Sequence, residues 1–294
     1  MLALARGRAG VRIRLPEALR TLPDTSFRTV DLVYNRARRG YAWHLAIEDG
    51  QTVAATTAQG IAAIDLGEIH PATMTDGQEA VIVSCRKLRS DRQHGFKQLA
   101  KFQTAQAALT KKSRRWWRLQ KRKNRFLAKQ ALRRRDSEHK ISHAVVQWAV
   151  DHQIGTLVIG DVRTIADGKR LRALSQQKIS SWSHGKLRRY LNDKAERHGI
   201  TVNDKIDERY SSQTCPSCGN RHKPQGRIYR CANKDCGAIV HRDVVGATNI
   251  LSRFVYGEVG KMAPPQRVQV SYPVRVIPKQ VMRSSGGHPG NSSV

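Results

Sequence analysis

Two cysteine pairs set the terms for the C-terminal part of this chain. Cys215-Pro-Ser-Cys218 is followed, twelve residues later, by Cys231-Ala-Asn-Lys-Asp-Cys236. Each pair has the reach of a metal knuckle, and together they offer four thiolates to one tetrahedral zinc ion. Gly219 and Gly237 follow the second cysteine of each pair, where the tight turn favours a residue that tolerates positive φ. Structural zinc of this kind contributes on the order of 10–16 kcal/mol of binding energy, which here is folding energy for a segment with little core of its own. Unrelated buried thiols or disulfides are the weaker reading, because the composition has an intracellular cast.

Directly behind this zinc ribbon stands His241-Arg-Asp243-Val-Val-Gly-Ala-Thr-Asn-Ile-Leu251. Val244, Ala247, Ile250 and Leu251 recur at helical spacing, so Asp243 falls in the first turn of a helix. A carboxylate there can simply complement the helix dipole. It can also be one member of a site whose other members lie elsewhere in the chain.

The charge balance narrows the partners. Lys and Arg number 53 against 23 Asp and Glu, a formal +30 over 294 residues. Solubility does not require that excess, and nucleic acid is the first partner it suggests. A membrane surface is the competitor, but no long basic helix shows a clean apolar face, and no apolar run is long enough to span a bilayer. Arginines interrupt the N-terminal apolar stretch, which argues against a signal peptide, so a cytoplasmic protein is expected, nucleoid-associated when bound to DNA.

Along the chain, residues 1–30 are basic and irregular. Residues 31–48 read as two strands joined by a turn at Arg36–Gly40, and strands follow at about 60–66 and up to Ser84, with Cys85 as a small buried strand residue. From Arg86 to Val150 the period becomes helical. Residues 111–135 hold thirteen Lys or Arg and no acid, interleaved with Trp116, Trp117, Leu119, Phe126 and Leu132. The two helical stretches read as a long hairpin whose aromatics pack on the neighbouring helix. Its cations, Arg114, Arg115, Arg118, Lys121, Arg122, Lys123, Arg125, Arg133 and Arg134, are placed for phosphates rather than for a solvated face. TLVIGD (156–161) reads as a buried parallel strand, 162–180 as a mobile loop, the segment ending at Gly199 as an amphipathic helix, and ITVNDKIDE as a second parallel strand. Residues 255–294 are rich in Pro, Gly and Ser and are expected to be mostly disordered.

This order of strands, hairpin, strand, helix, strand, ribbon and helix is the plan of an α/β, ribonuclease-H-like mixed sheet. Its chemistry is phosphodiester cleavage with two divalent ions held by carboxylates. Asp65, in Ile-Asp-Leu-Gly at the end of an apolar strand, is the first candidate ligand, and Asp243 is the second. Asp161 and Glu208 each end a strand and either can supply the third acid. Asp161 can alternatively cap its loop, and Glu208 can be exposed beside Arg209.

Taken together, IDLGEIHPAT around Asp65, YSSQTCPSCG from Tyr210, the paired cysteines and HRDVVGATNIL around Asp243 resemble the TnpB (OrfB) family of transposon-encoded RNA-guided DNA nucleases, relatives of the type V CRISPR effectors. The resemblance implies a RuvC-type nuclease over residues 56–254, with the hairpin (86–150) and the zinc ribbon (210–240) as insertions. It also implies Mg²⁺ at Asp65, Glu208 and Asp243, structural zinc at Cys215, Cys218, Cys231 and Cys236, and guide RNA and target DNA as partners. That family places a glutamate where this chain has Gly160-Asp161. Glu208 is therefore taken as the working third acid and Asp161 as a weaker fourth. Residues 1–55 correspond to the last strands of an N-terminal β-barrel, shorter than is usual for the family, as in a truncated or minimal form. A binding protein without cleavage, a repressor or a transposon remnant, is the alternative.

Overall fold

A computed structural model describes residues 2–4, 11–23, 26–35, 40–48, 50, 52–53, 55–163 and 172–274. The N-terminal part holds two antiparallel pairs: β1 (Leu2–Leu4) with β2 (Val11–Ile13), and, beyond a single 3₁₀ turn at Glu17–Leu19, β3 (Phe27–Asn35) with β4 (Gly40–Ile47). The expected turn at 36–39 lies outside the described residues. So does most of the expected loop before residue 172.

The remaining elements are β5 (Gly60–Asp65), β6 (Ala72–Thr75), β7 (Glu79–Val83), α1 (Arg86–Ala107), α2 (Arg114–Asp151), β8 (Ile154–Asp161), α3 (Ala173–Ser180), α4 (His184–Glu196), β9 (Thr201–Asp207), β10 (Ile228–Arg230), β11 (Ile239–His241), α5 (Arg242–Tyr256) and β12 (Arg267–Ser271). Six strands form one mixed sheet in the order β12-β7-β6-β5-β8-β9. β5, β6 and β7 are an antiparallel meander, and β8 and β9 join in parallel beyond β5.

Strict alternation along the strands divides the core in two. Ile64, Leu157 and Ile159 face α2 and α4, whose Ile141, Val145, Ala149, Leu187 and Leu191 are buried against them. Ala63 and Val158 face the other way, onto Ile250 and Leu251 of α5. Each fully buried branched side chain contributes roughly 1.5–3 kcal/mol, so both helix layers are held to the sheet by apolar contact.

Helix α2 runs 38 residues, about 57 Å at the usual rise. Its C-terminal third is the part buried on the sheet. The N-terminal part runs along α1, with the Phe126 ring tilted against Phe102 (ring centroids 5.8 Å apart) and Gln106 donating to Gln120 at 2.7 Å. Ser113 caps it by accepting from the Trp116 N–H at 3.2 Å. The hairpin expected from residues 86–150 is thus present. Among the described residues no helix is long and apolar enough to cross a membrane.

Three expectations are corrected. Residues 267–271, expected to be disordered, form β12, parallel to β7; the Val268 and Val270 alternation pairs an edge that β7 leaves open. Residues 173–180, read as loop, are the short helix α3. Cys85 is buried as expected, but it is the N-cap of α1 and not part of a strand, because β7 ends at Val83.

Candidate active site

The same alternation places the carboxylates. Asp65 lies two residues beyond Ala63, on the sheet face covered by α5. On α5, Asp243, Gly246 and Ile250 are spaced i, i+3 and i+7, so they share the face turned to the sheet. Gly246 has no side chain because Asp65 occupies the space: a Cβ there would collide with the Asp65 Oδ2.

Strand β8 sends Val158 toward α5, so Gly160 faces the same side and Asp161 the opposite one. Asp161 is bound there by Arg163 (2.8 and 2.5 Å) and lies 3.8 Å from Arg188 of α4. The Arg163 hydrogen bonds hold its carboxyl below the usual range. The expectation that Asp161 stands as a fourth acid is not met by this geometry, because period-2 alternation turns it to the wrong face.

Glu208 reaches the α5 side by a different device. Between Val158 and Gly160 of β8, strand β9 advances from Asn203 to Ile206, one residue more than its partner. This bulge reverses the alternation. Val202 packs with the α2–α4 layer, while Ile206 packs with α5. Glu208, two residues past Ile206, follows it to the α5 side. Its carboxylate lies over Gly160, where a Cβ would strike it. The glycine in Gly160-Asp161 therefore makes room for an acid supplied by the next strand.

Arg253 of α5 fixes the turn that carries Glu208. Its guanidinium donates to the carbonyls on either side of that residue, Asp207 O at 2.5 Å and Arg209 O at 3.2 Å. The Ser211 N–H donates to the Glu208 carbonyl at 3.0 Å. Asp65 thus has Asp243 as one charged neighbour and Glu208 as another, and among the described residues no arginine is bound to Glu208 and no side chain is hydrogen-bonded to the Asp65 carboxylate. Burial, and then the Asp243 charge, push Asp65 up to about 7. Burial, and then Asp65 and the neighbouring acids, push Glu208 up to about 9.

Asp243 is different. Burial raises its carboxyl, but the His70 hydrogen bond and the charges of Arg227 and His241 outweigh that and hold it low. His70 Nδ1 lies 2.7 Å and Arg227 Nη1 3.0 Å from its Oδ2, and His241 caps α5 by accepting from the Asp243 N–H at 3.3 Å.

These residues fit divalent magnesium. The donors are all carboxylate oxygens, Glu208 Oε1 is buried without a partner, and two acids repel each other where a cation would reconcile them.

Residues 215–236 supply the second centre. All four Sγ atoms of Cys215, Cys218, Cys231 and Cys236 lie within 4.8 Å of one another. The Cys215–Cys236 and Cys218–Cys231 separations are 3.7 and 3.5 Å. Tetrahedral zinc with Zn–S of about 2.3 Å requires Sγ atoms about 3.8 Å apart, so the cluster fits zinc and the thiols are not paired as disulfides. Gly219 (φ 73°) and Gly237 (φ 60°) take the left-handed turns expected of them. The β10–β11 hairpin packs Tyr229 and Cys215 on Val245 of α5. Asn249, fully buried, donates to the carbonyls of Ser211 (2.7 Å) and Thr214 (2.8 Å) and accepts from the Gly260 N–H (2.8 Å), tying α5 to the ribbon's lead-in.

On the hairpin, Arg114, Arg115, Arg118, Lys121, Arg122, Arg125 and Arg133 are exposed, whereas Arg134 and Lys123 are half-buried and Lys123 is drawn onto Gln106 at 2.5 Å. Sequence reasoning missed His70, Arg227, Arg253, Asn249 and the role of Gly160. His70, His241 and Asn249 carried a signal, since they lie within two motifs already singled out.

Two stretches of the chain are similar to known proteins. The family OrfB_IS605, described as "Probable transposase", matches residues 44–166, and the Cas12f1-like TNB domain matches residues 184–250. The CRISPR-associated endodeoxyribonuclease Cas12f1 of Sulfoacidibacillus thermotolerans is 30% identical over 117 residues, 39% of this chain and 26% of that protein. Its counterpart from Syntrophomonas palmitatica is 25% identical over 138 residues, 46% of this chain and 26% of that protein. The chain therefore spans about a quarter of the length of these relatives. A solved CRISPR-Cas12f ternary complex superposes with a TM-score of 0.53 at 14% identity, covering 77% of this chain and 43% of that one, which establishes likeness of fold. With a six-stranded mixed sheet, a four-cysteine ribbon and two partial family matches, the chain is similar to TnpB-like proteins and to the type V effectors related to them.

Proposed function

We propose that this protein is a transposon-associated, RNA-guided DNA endonuclease that cuts phosphodiester bonds with magnesium held by Asp65, Glu208 and Asp243. The observation that carries the reading is the meeting of these three acids from β5, the end of β9 and α5, two of them raised in pKa by burial and mutual repulsion. The named relatives are endodeoxyribonucleases, which supports the same reaction class. A pair of bound divalent ions would supply an activated water and stabilise the leaving oxygen.

The chain's own residues set the conditions. Asp243 stays ionised between His70 and Arg227. Burial and neighbouring acids favour the protonated forms of Asp65 and Glu208, so holding a divalent ion would require both to give up protons. Arg253 keeps the Glu208 turn from relaxing outward. Structural zinc at the four cysteines would brace α5. The exposed cations of α2 would hold a guide–target heteroduplex by its phosphates, giving affinity that falls steeply with salt.

The test is magnesium-dependent cutting of a target by the protein purified with its RNA. Asp65→Ala or Asp243→Ala is expected to abolish the cut and leave binding within about twofold. A wild type that binds but never cuts, with or without its RNA, would leave only the nucleic-acid-binding reading.

A further inference from the structure

Strand β9 ends at Asp207, and the chain reverses at once. The Ser211 N–H donates to the Glu208 carbonyl at 3.0 Å, closing a turn in which Glu208 is the first residue and Tyr210 the third. Tyr210 has φ 65°. In a type II turn the third residue needs positive φ, and glycine or asparagine normally supplies it. A residue with a Cβ is disfavoured there by its own carbonyl, and a tyrosine side chain offers no local hydrogen bond to offset that. Lys112 and Gln153, the other non-glycine residues with positive φ among those described, flank the two ends of α2. Tyr210 instead stands two residues from an acid of the candidate site.

Two features hold it, and both belong to the ribbon's lead-in. The Tyr210 carbonyl accepts from the N–H groups of Gln213 (2.9 Å) and Thr214 (3.0 Å) and from the Thr214 hydroxyl (3.0 Å). Its ring lies under the Arg221 guanidinium, with Cζ 3.0 Å from the ring centre. Arg221 is bridged through the main chain to Thr214, directly before the first zinc ligand. Tyr210 is 44% exposed, so burial does not explain an aromatic at this position, whereas a cation over its face does.

We infer that Tyr210 is a positioning residue for the Glu208 carboxylate, held in its left-handed conformation by Arg221. Arg253 fixes the same turn from α5, and the Tyr210–Arg221 pair fixes it from the ribbon. That Glu208 holds magnesium rests on the proposed function; the clamp itself does not.

The experiment is calorimetric titration of magnesium into the zinc-loaded full chain, with zinc content measured for each variant. Tyr210→Ala keeps the strained backbone but loses the ring, and should weaken magnesium binding about tenfold. Arg221→Ala should do the same, and the double variant should be no worse than either alone. Tyr210→Phe keeps the ring and should bind as wild type does. Tyr210→Gly loses the ring but adopts positive φ freely, and should stay within about threefold of wild type. General destabilisation would give the opposite order, because glycine loses more backbone freedom on folding than alanine. Wild-type affinity in Tyr210→Ala, or a larger loss for glycine than for alanine, would overturn the inference. Glu208→Gln separates this from failure of the site itself. Unchanged magnesium affinity in that variant would end the reading of Glu208 as a ligand and the inference with it, whereas a loss there with none in Tyr210→Ala would end the inference alone.

Discussion

The two centres of this molecule are assembled in opposite ways. The ribbon draws four thiols from residues 215–236, spaced so that local turns alone bring them together. The carboxylate site draws Asp65, Glu208 and Asp243 from nearly the whole length of the sheet domain, and no local rule connects them. The ribbon is written as a spacing, whereas the carboxylate site exists only once six strands and α5 have found their register. One centre therefore tolerates much around it, and the other depends on glycines, a bulge and an arginine that carry no chemistry themselves.

The largest contrast should come from the ribbon. Cys215→Ser removes a fully buried ligand. It should take bound zinc from one per chain to near none and lower stability by several kcal/mol, since structural zinc binding is on the order of 10 kcal/mol. Metal content and thermal melting measure both, and full zinc occupancy would break the comparison at its firmest point.

Gly160→Ala comes next. Its methyl group collides with the Glu208 carboxylate, so magnesium affinity should weaken about 10–100-fold while zinc content stays at wild type. Calorimetric titration separates the two, and an unchanged magnesium affinity would show that Glu208 is not a ligand. Arg253→Met releases both carbonyls around Glu208 and should weaken magnesium affinity about tenfold; Arg253→Lys, able to reach one carbonyl, should recover part of it. Equal loss in both would point to general destabilisation rather than to positioning.

The smallest effect is in stability. Glu208 binds a proton in the folded, magnesium-free chain up to about 9, whereas its ordinary value is 4.5. Between those values the folded state holds more protons than the unfolded one, so this group makes stability fall as pH rises. Glu208→Gln should raise magnesium-free stability at pH 8 by about 1–3 kcal/mol and give no gain near pH 4. A loss at pH 8 would mean that the carboxylate is held by a partner.

What was legible in the sequence follows the same division. The cysteines, the helix behind them, the apolar strand ending in Asp65 and the basic hairpin all have local periods, and all stand where those periods put them. Asp161 and Glu208 could not be separated, because alternation along an uninterrupted strand gives each an equal claim. The extra residue in β9 turns Glu208 to the α5 side, and Asn203-Asp204-Lys205 carries no glycine or proline to announce it. β12 was hidden for another reason: five residues of alternating valines form a strand only because β7 offers an edge to them.

Asn249 ties these two unlike centres into one mechanical unit. A single amide closes three main-chain contacts between the ribbon's lead-in, the segment at Gly260 and the helix that carries Asp243 in its first turn. Any chelator or oxidant that empties the thiolate cage loosens the anchorage of an acid that has no redox chemistry of its own.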